Sequence, residues 1–347
     1  ILYGATGFTG KLCAEYFREN YPDLNWAIAG RNKNKLEALK TELNLDCDIF
    51  VADSDDYQAI KNFVKQTKVV LSAAGPFARY STKVVEACVE CKTHYTDITG
   101  ENHWVKGLID RFHEKAALDG TRIVPSCGYD SIPSDLGVYF SVTRSNQPVN
   151  HVTVYHSAKG GASGGTTETM FTMGPLPKEM RDPFLLNPKD SVSETQKRKS
   201  LDNFSVKPIP GTDAFSGMGL MAFANTRVVR RSSALFDLNQ KSYGPDFTFK
   251  ELGSYPSKAA ARITSFVLMS AFLVIATPLR YLVRPLLPKP GDGPDKEARD
   301  NGWFRGLFIA ELEDGSEKRF EIYGSGDPGY KSTCLLYTSD AADDRMR

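Results

Sequence analysis

The sequence predicts a doubly wound, Rossmann-type α/β fold with a second α/β domain, and three observations carry that reading. An apolar run, Ile1-Leu2-Tyr3, leads straight into Gly4-Ala5-Thr6-Gly7-Phe8-Thr9-Gly10. Helix formers, Lys11 to Phe17, follow at once. Short apolar runs then alternate with helical stretches as far as Pro125, the pattern of a parallel sheet with helices on both faces.

The glycine turn comes first. Gly4 allows the sharp turn from strand to helix, Gly7 has no Cβ to hold the backbone away from a pyrophosphate, and Gly10 lets the helix pack closely on the strand. The amides of Gly4–Gly10, those of Ala5, Thr6, Phe8 and Thr9 included, are expected to face the phosphates at the positive end of the helix dipole. Trp26-Ala27-Ile28-Ala29-Gly30 reads as the second strand, with Arg31 at its tip. An acid there would repel a 2′-phosphate, whereas an arginine holds one, so the expected cofactor is NADP rather than NAD. Lys33 and Lys35 add positive charge nearby; a basic, solvated helix start is the alternative. Leu36, Leu39 and Leu43 have helical spacing. Asp48 to Asp53 reads as the third strand, with Asp53 placed either to meet the adenine amino group or to cap the next helix. Val69 to Phe77 reads as a buried strand and tight turn, whose Ala74-Gly75-Pro76 runs under the nicotinamide ribose. Tyr95-Thr96-Asp97 and Arg122 to Pro125 complete the sheet.

With 347 residues the chain is long enough for two cored domains. A net charge of +1 gives no electrostatic case for nucleic-acid binding. Six cysteines in this length do not make a disulfide scaffold. Cys88 and Cys91 form a C-x-x-C late in a helical segment, away from the helix start that stabilises a thiolate, and read as small buried residues. The five histidines are scattered, so no metal site is expected. The first strand, opening at Ile1, reads as clipped.

Between Gly4 and Gly137 the motifs GATGFTG (Gly4–Gly10), AGR (Ala29–Arg31), SAAGPF followed by Tyr80 (from Ser72), HYTDITGE (His94–Glu101) and CGYDSIPSDLG (Cys127–Gly137) stand in order. Together they resemble the saccharopine dehydrogenase-like oxidoreductases, a group that includes the mycobacterial trans-acting enoyl reductases. The resemblance spans residues 1–330. It implies an amino-terminal NAD(P)-binding domain, a second α/β domain, and, in eukaryotic members, association with lipid droplets and other membranes. It also implies lipid-linked substrates in the mycobacterial branch. The expected location is intracellular, at a membrane or lipid-droplet surface, with the mitochondrion as the alternative. The chain divides accordingly into a Rossmann domain (1–145), a second domain for substrate or dimerisation (146–330) and a tail (331–347).

In the second half, His151 to Tyr155 alternates like a strand with one solvated face. Gly160 to Thr167 is a glycine-rich helix start, either an anion cradle or a flexible connection. Residues 174–212 are rich in proline and charge and read as a surface excursion or lid. Ile263 to Thr277 carries no charge over 15 residues. As a helix it reaches about 22 Å, short of the roughly 30 Å hydrocarbon core. Pro278 interrupts it, and the apolar character continues to Leu287 between Arg280 and Arg284. The segment 263–287 is expected to insert in one leaflet with its arginines snorkelling; a buried core or homodimer helix and a full span are the alternatives. Trp303–Leu312 and Lys318–Tyr323 flank Asp314-Gly315 as a hairpin. Gly324 to Tyr330 is expected to turn into a closing helix, but residues 331–347 depart from the family pattern, resemble translated sequencing adapter, and are read as a non-native tail outside the fold.

A hydride enzyme also needs a group that handles a proton. Tyr80, Tyr95, Asp97, Tyr129 and Asp130 fall near the expected nicotinamide end, and Tyr129 and Asp130 are preferred because they follow the last strand at the sheet's carboxyl edge. The alternative is a structural helix start, with Ser131 or Ser134 as cap, Pro133 in the first turn and Asp135 on the dipole. Arg227, Arg230 and Arg231 are either a clamp for a diacid or a surface patch. The reading that results is an NADP-dependent oxidoreductase acting on a hydrophobic or lipid-linked small molecule. A catalytically silent NADP-binding membrane protein and a saccharopine dehydrogenase are its alternatives.

Overall fold

The computed structural model describes residues 1–161, 164–173, 178–289 and 291–342. Six parallel strands form the first sheet: β1 (Leu2–Tyr3), β2 (Ala27–Gly30), β3 (Asp48–Val51), β4 (Val69–Ser72), β5 (His94–Asp97) and β6 (Ile123–Val124), in the order β3-β2-β1-β4-β5-β6. The winding reverses between β1 and β4, and ligands of such sheets bind at that switch point, beyond the carboxyl ends of the strands. Successive residues of a strand point to opposite faces. Accordingly, Leu2, Ile28 and Leu71 join one buried cluster with Leu36 and Leu39, while Tyr3, Ala29 and Val70 join another with Ile60, Phe63 and Val84. Both faces are therefore cored, which explains why β2 is buried along its whole length.

The second sheet is mixed. Its strands β7 (Val149–Lys159), β8 (Phe215–Gly217), β9 (Thr248–Tyr255), β10 (Trp303–Leu312) and β11 (Glu317–Ser325) lie in the order β11-β10-β7-β9-β8. Gly315, at φ +81°, turns the β10–β11 hairpin. Val152, Val154, Phe249, Phe308 and Ala310 face Val138 and Val229, which come from the helices Ile132–Thr143 and Ala222–Leu238. The helix Ile132–Thr143 starts at the carboxyl edge of the first sheet and ends under the second, so it joins the two.

Two expectations are corrected here. From residue 178 to 212 the excursion is strapped down rather than free, its first four residues, 174–177, lying outside the described ones. Leu185 and Leu186 are buried in the first-domain core. Arg227 pairs with Asp202 and donates to the Arg181 carbonyl at 3.1 Å, and Arg230 reaches Asp202 at 3.1 Å and the Pro183 carbonyl at 2.9 Å. Arg231 donates to the Leu186 carbonyl. The arginine cluster is thus neither a surface patch nor a free clamp. The second correction concerns the tail. Thr333–Ala342 is a helix packed on the first domain, because Cys334 and Tyr337, three residues apart, present one buried face to Cys13, Leu71 and Cys127. The Tyr337 hydroxyl lies 2.6 Å from the Ser72 carbonyl and 2.9 Å from that of Thr96. Residues 343–347 lie outside the described ones.

The apolar segment is an 18-residue helix, Lys258–Ile275, N-capped by Ser257. It is the one helix among the described residues long and apolar enough to cross a membrane. Only Ala261 and Ser265 are buried; Ile263, Phe266, Val267, Met269 and Leu273 are exposed, as are Leu279, Tyr281, Leu282 and Leu286 beyond it. Arg284 is held by Glu168 at 3.0 Å, so of the two arginines expected to snorkel it is already paired.

Candidate cofactor cleft and active site

The glycine turn is built by close contacts. Gly4 has φ +83°, and a Cβ there would fall 2.7 Å from the Ala74 amide nitrogen, so the glycine turn and the turn after β4 abut at the switch point. A Cβ on Gly10 would lie 2.3 Å from the Gly4 carbonyl oxygen and 2.8 Å from the Ala5 Cα, which leaves glycine as the residue that fits. Gly7 differs: its Cβ would meet nothing nearer than 3.4 Å. Nothing inside the protein demands glycine at position 7, and the demand is met if a ligand's phosphates approach there. The amides of Gly4 and Ala5 both donate to the Ala29 carbonyl, and that of Gly7 donates to the Gly4 carbonyl at 3.0 Å, so those three are not free for phosphate, contrary to expectation. The helix Phe8–Asn20 begins with no side-chain cap on its first amides. Those N–H groups are available to an anion, beside exposed Thr6 and Gly7.

Arg31 sits exposed at the carboxyl end of β2, just before Asn32, which caps the helix Lys33–Glu42 by accepting from the Lys35 amide at 3.0 Å. Lys33 is shared with Glu37 at 3.7 Å. Asp53 does not cap a helix; it accepts from the Asp55 amide at 2.9 Å, and Asp56 caps instead. Burial, with a smaller push from Asp53 that Arg31 opposes, raises the Tyr3 phenol to about 12. Arg31 and Asp53 therefore flank the same end of the sheet.

Past β4, Ala74-Gly75-Pro76 leads into the short helix Phe77–Tyr80. The carboxylate of Glu101 holds that turn from below, accepting from the Phe77 amide at 2.7 Å and from the Ala78 amide at 3.1 Å. Glu101 is 1% exposed. Burial raises its carboxyl, and the two backbone donors oppose the shift. Sequence reasoning gave Glu101 no role. Tyr95 and Asp97 are core groups. The Tyr95 hydroxyl donates to Asp97 at 2.9 Å, and Asp97 also accepts from the amides of Thr99 and Ser126 at 2.9 and 3.0 Å, tying the ends of β5 and β6 together. Burial raises Asp97 to about 7. Against the expectation that no helix carries a Tyr-x-x-x-Lys pair, the helix Tyr57–Val64 holds Tyr57 and Lys61; its lysine is bound to Glu90 at 2.6 Å.

Tyr129 and Asp130 lie where β6 leads into the helix Ile132–Thr143. The Tyr129 ring packs on Phe304 of β10, with centroids 4.7 Å apart, so it spans both domains. Burial pushes its phenol up, helped by Asp130, Glu251 and Asp327. Asp130 is exposed, yet desolvation raises its carboxyl to about 6. Ser131 and Ser134 do not cap the helix as expected. Ser131 Oγ donates to Asn225 at 3.1 Å and Ser134 Oγ to Glu251 at 2.7 Å, so both hydroxyls turn into a buried polar cluster. At the glycine-rich run, the Gly161 amide donates to buried Asp327 at 2.9 Å, which anchors its start; Ala162 and Ser163 lie outside the described residues.

Residues 1–124 match the family model described as the saccharopine dehydrogenase NADP binding domain. Over 368 residues the chain is 33% identical to the trans-acting enoyl reductase of Mycobacterium ulcerans, covering 97% of this chain and 86% of that protein. Identity to the trans-acting enoyl reductase of Mycobacterium tuberculosis is 31% over 367 residues, with the same coverage. Among solved structures, the apo saccharopine dehydrogenase (L-Glu forming) of Saccharomyces cerevisiae matches with a TM-score of 0.50 at 14% identity, covering 97% of this chain and 88% of that one. That likeness speaks for the fold: a parallel six-stranded domain followed by a second sheet domain.

Proposed function

The chain belongs to the saccharopine dehydrogenase-like oxidoreductases and is an NADP-dependent oxidoreductase, and from that premise we propose that it reduces a carbon–carbon double bond in a lipid-linked substrate. The observation that carries the substrate class is the exposed apolar helix Lys258–Ile275, which meets the helix Ala222–Leu238 of the second domain through the Phe223–Phe272 ring contact at 6.1 Å. A diacid such as saccharopine calls for free cations, and Arg227, Arg230 and Arg231 are engaged by Asp202 and by carbonyls.

When bound, NADPH supplies the hydride. In this reading the uncapped amides of Phe8 and Thr9 hold the pyrophosphate, which approaches over Gly7, Arg31 the 2′-phosphate, and Asp53 the adenine amino group. Ala74-Gly75-Pro76 supports the nicotinamide ribose, and Glu101 keeps that turn in place. Tyr129 and Asp130 hold the proton that goes to the substrate carbon next to the hydride acceptor. The apolar segment rests in one leaflet of an intracellular membrane or lipid droplet and presents the substrate to the cleft.

The test is NADPH consumption against enoyl thioesters and lipid carbonyl compounds, with saccharopine in the panel. Turnover of the enoyl lipids supports the proposal. Tight NADPH binding without turnover assigns a catalytically silent role instead. Deleting Phe266–Ile275 is expected to abolish flotation with lipid vesicles; unchanged flotation refutes the anchor, and a loss of dimer in place of flotation makes the segment a dimer contact.

A further inference from the structure

Behind Tyr129 and Asp130 the second domain buries an acid, a hydroxyl and an imidazole in contact. Ser134 Oγ lies 2.7 Å from Glu251 Oε2 and 2.9 Å from His156 Nε2. The other carboxyl oxygen of Glu251 accepts from Asn225 at 3.0 Å, and Asn225 accepts from Ser131 at 3.1 Å. The Glu251 side chain is 3% exposed. His156 Nδ1 is buried and, among the described residues, without a hydrogen-bond partner. An acid and an imidazole on the inward face of a sheet are costly to desolvate where apolar residues would serve packing.

We propose that Glu251, Ser134 and His156 form a buried proton store for the cleft, in which the Ser134 hydroxyl passes one proton between the Glu251 carboxyl and His156 Nε2. The Glu251 O–H bond breaks as an O–H bond forms on Ser134, while the original Ser134 O–H bond breaks as an N–H bond forms on Nε2. Serine ends neutral, Glu251 ends as an anion, and His156, protonated on both nitrogens, ends as a cation 3.9 Å from it. Burial lowers His156 to about 4, so the proton rests on Glu251 and the transferred ion pair is the minor state; the reverse transfer restores the start, and no electrons move.

The charged groups around Glu251 give the store its use. His156 faces it from β7, Asp130 and Tyr129 from the start of the helix Ile132–Thr143, and Arg230, Asp202 and Lys250 from the cavity that Glu251 also lines. Arg230 and Asp202 are paired with each other, and Lys250 donates to Asn203 at 2.8 Å. Asp130 is thus the anion that Glu251 meets uncompensated. Burial raises Glu251 to about 7 against the hydrogen bonds from Ser134 and Asn225, with a smaller push from Asp130, and burial raises Asp130 to about 6. Both carboxyls thus keep their protons towards the neutral range, and Asp130, the exposed one of the two, is the one open to substrate. This use rests on the oxidoreductase reading; the store itself does not. Glu251 is a positioning residue for Asp130.

The test is pH-difference infrared spectroscopy of the full chain in wild type, Glu251→Gln, Ser134→Ala and His156→Gln. Wild type is expected to lose protonated-carboxyl absorption as pH rises through about 7, from Glu251 and Asp97 together; Glu251→Gln is expected to keep the Asp97 share alone, and Ser134→Ala and His156→Gln to shift the midpoint of the Glu251 share. The pH profile of NADPH consumption is expected to lose its inflection in the same range in Glu251→Gln. Should Glu251→Gln fail to fold, the midpoint shifts in the other two variants decide. An identical titrating band in Glu251→Gln, or an unmoved midpoint in both other variants, overturns the store. The expected band in a protein that turns over no substrate supports the store and refutes the oxidoreductase reading.

Discussion

Replacing Arg31 with alanine is the sharpest perturbation of the cofactor site. Among the described residues Arg31 makes no hydrogen bond and no ion pair, and it is exposed, so its loss leaves the fold nearly untouched. Its contribution is to the ligand. A hydrogen bond to a charged group contributes about 1.5–3 kcal/mol. Solvent screening at an exposed site lowers that to roughly 1–2 kcal/mol. With about 1.4 kcal/mol per factor of ten, the Kd for NADP rises about 5- to 30-fold. NAD, which lacks the 2′-phosphate, is expected to bind within about twofold of wild type, because the amides that hold its pyrophosphate are unchanged. Lys33 cannot compensate fully, being shared with Glu37. The assay is calorimetric titration of both nucleotides at low and high ionic strength, where screening should shrink the wild-type preference. An unaltered NADP-to-NAD ratio in Arg31→Ala, or a loss that strikes both nucleotides equally, refutes the assignment of Arg31 to the 2′-phosphate.

Gly10→Ala places a methyl 2.3 Å from the Gly4 carbonyl oxygen. Overpacking of this kind costs about 1–3 kcal/mol, and thermal unfolding should show it together with lost NADPH binding. Glu101→Gln sets an NH2 group against one of the two amides that Glu101 now accepts from, at a cost of about 1–3 kcal/mol; Tm should fall and NADPH Kd rise, whereas an unchanged Kd would detach Glu101 from the cofactor turn. Asp97 is raised in the fold from 3.8 to about 7, so the folded state keeps a proton that the unfolded state releases. Stability is therefore expected to fall as pH rises from about 4 through about 7 and to level off above, by at most on the order of 4 kcal/mol, and Asp97→Asn should flatten that slope in urea titrations.

The first domain is legible because its signals are local. Gly4, Gly7 and Gly10 lie within one turn of each other, and Ile28 and Ala29 alternate between two cores without help from distant residues. The second domain is read less well. Thr248–Tyr255 shows no strand pattern because Glu251 occupies an inward position and Gly253 another, so the residue that hides β9 is the one that carries the buried cluster. Arg227, Arg230 and Arg231 read as a diacid clamp or a surface patch because their partners, Asp202 for the first two and the Leu186 carbonyl for the third, come from a segment that only the fold brings near. Glu101 shows no role in the sequence for the same reason: the Phe77 and Ala78 amides that it holds lie more than twenty positions earlier. The helix Thr333–Ala342 reads as a non-native tail because residues 331–347 depart from the family pattern, while its packing turns on the buried Cys334 and Tyr337.

Transfer of deuteride from NADPH deuterated at nicotinamide C4 to an enoyl thioester, read by mass spectrometry of the product, tests the central claim most directly. Deuterium at the carbon β to the thioester carbonyl, with a solvent proton at the α carbon, is the predicted result. Deuterium on a saccharopine-derived product alone, or on none of the lipids while NADPH still binds, would contradict it.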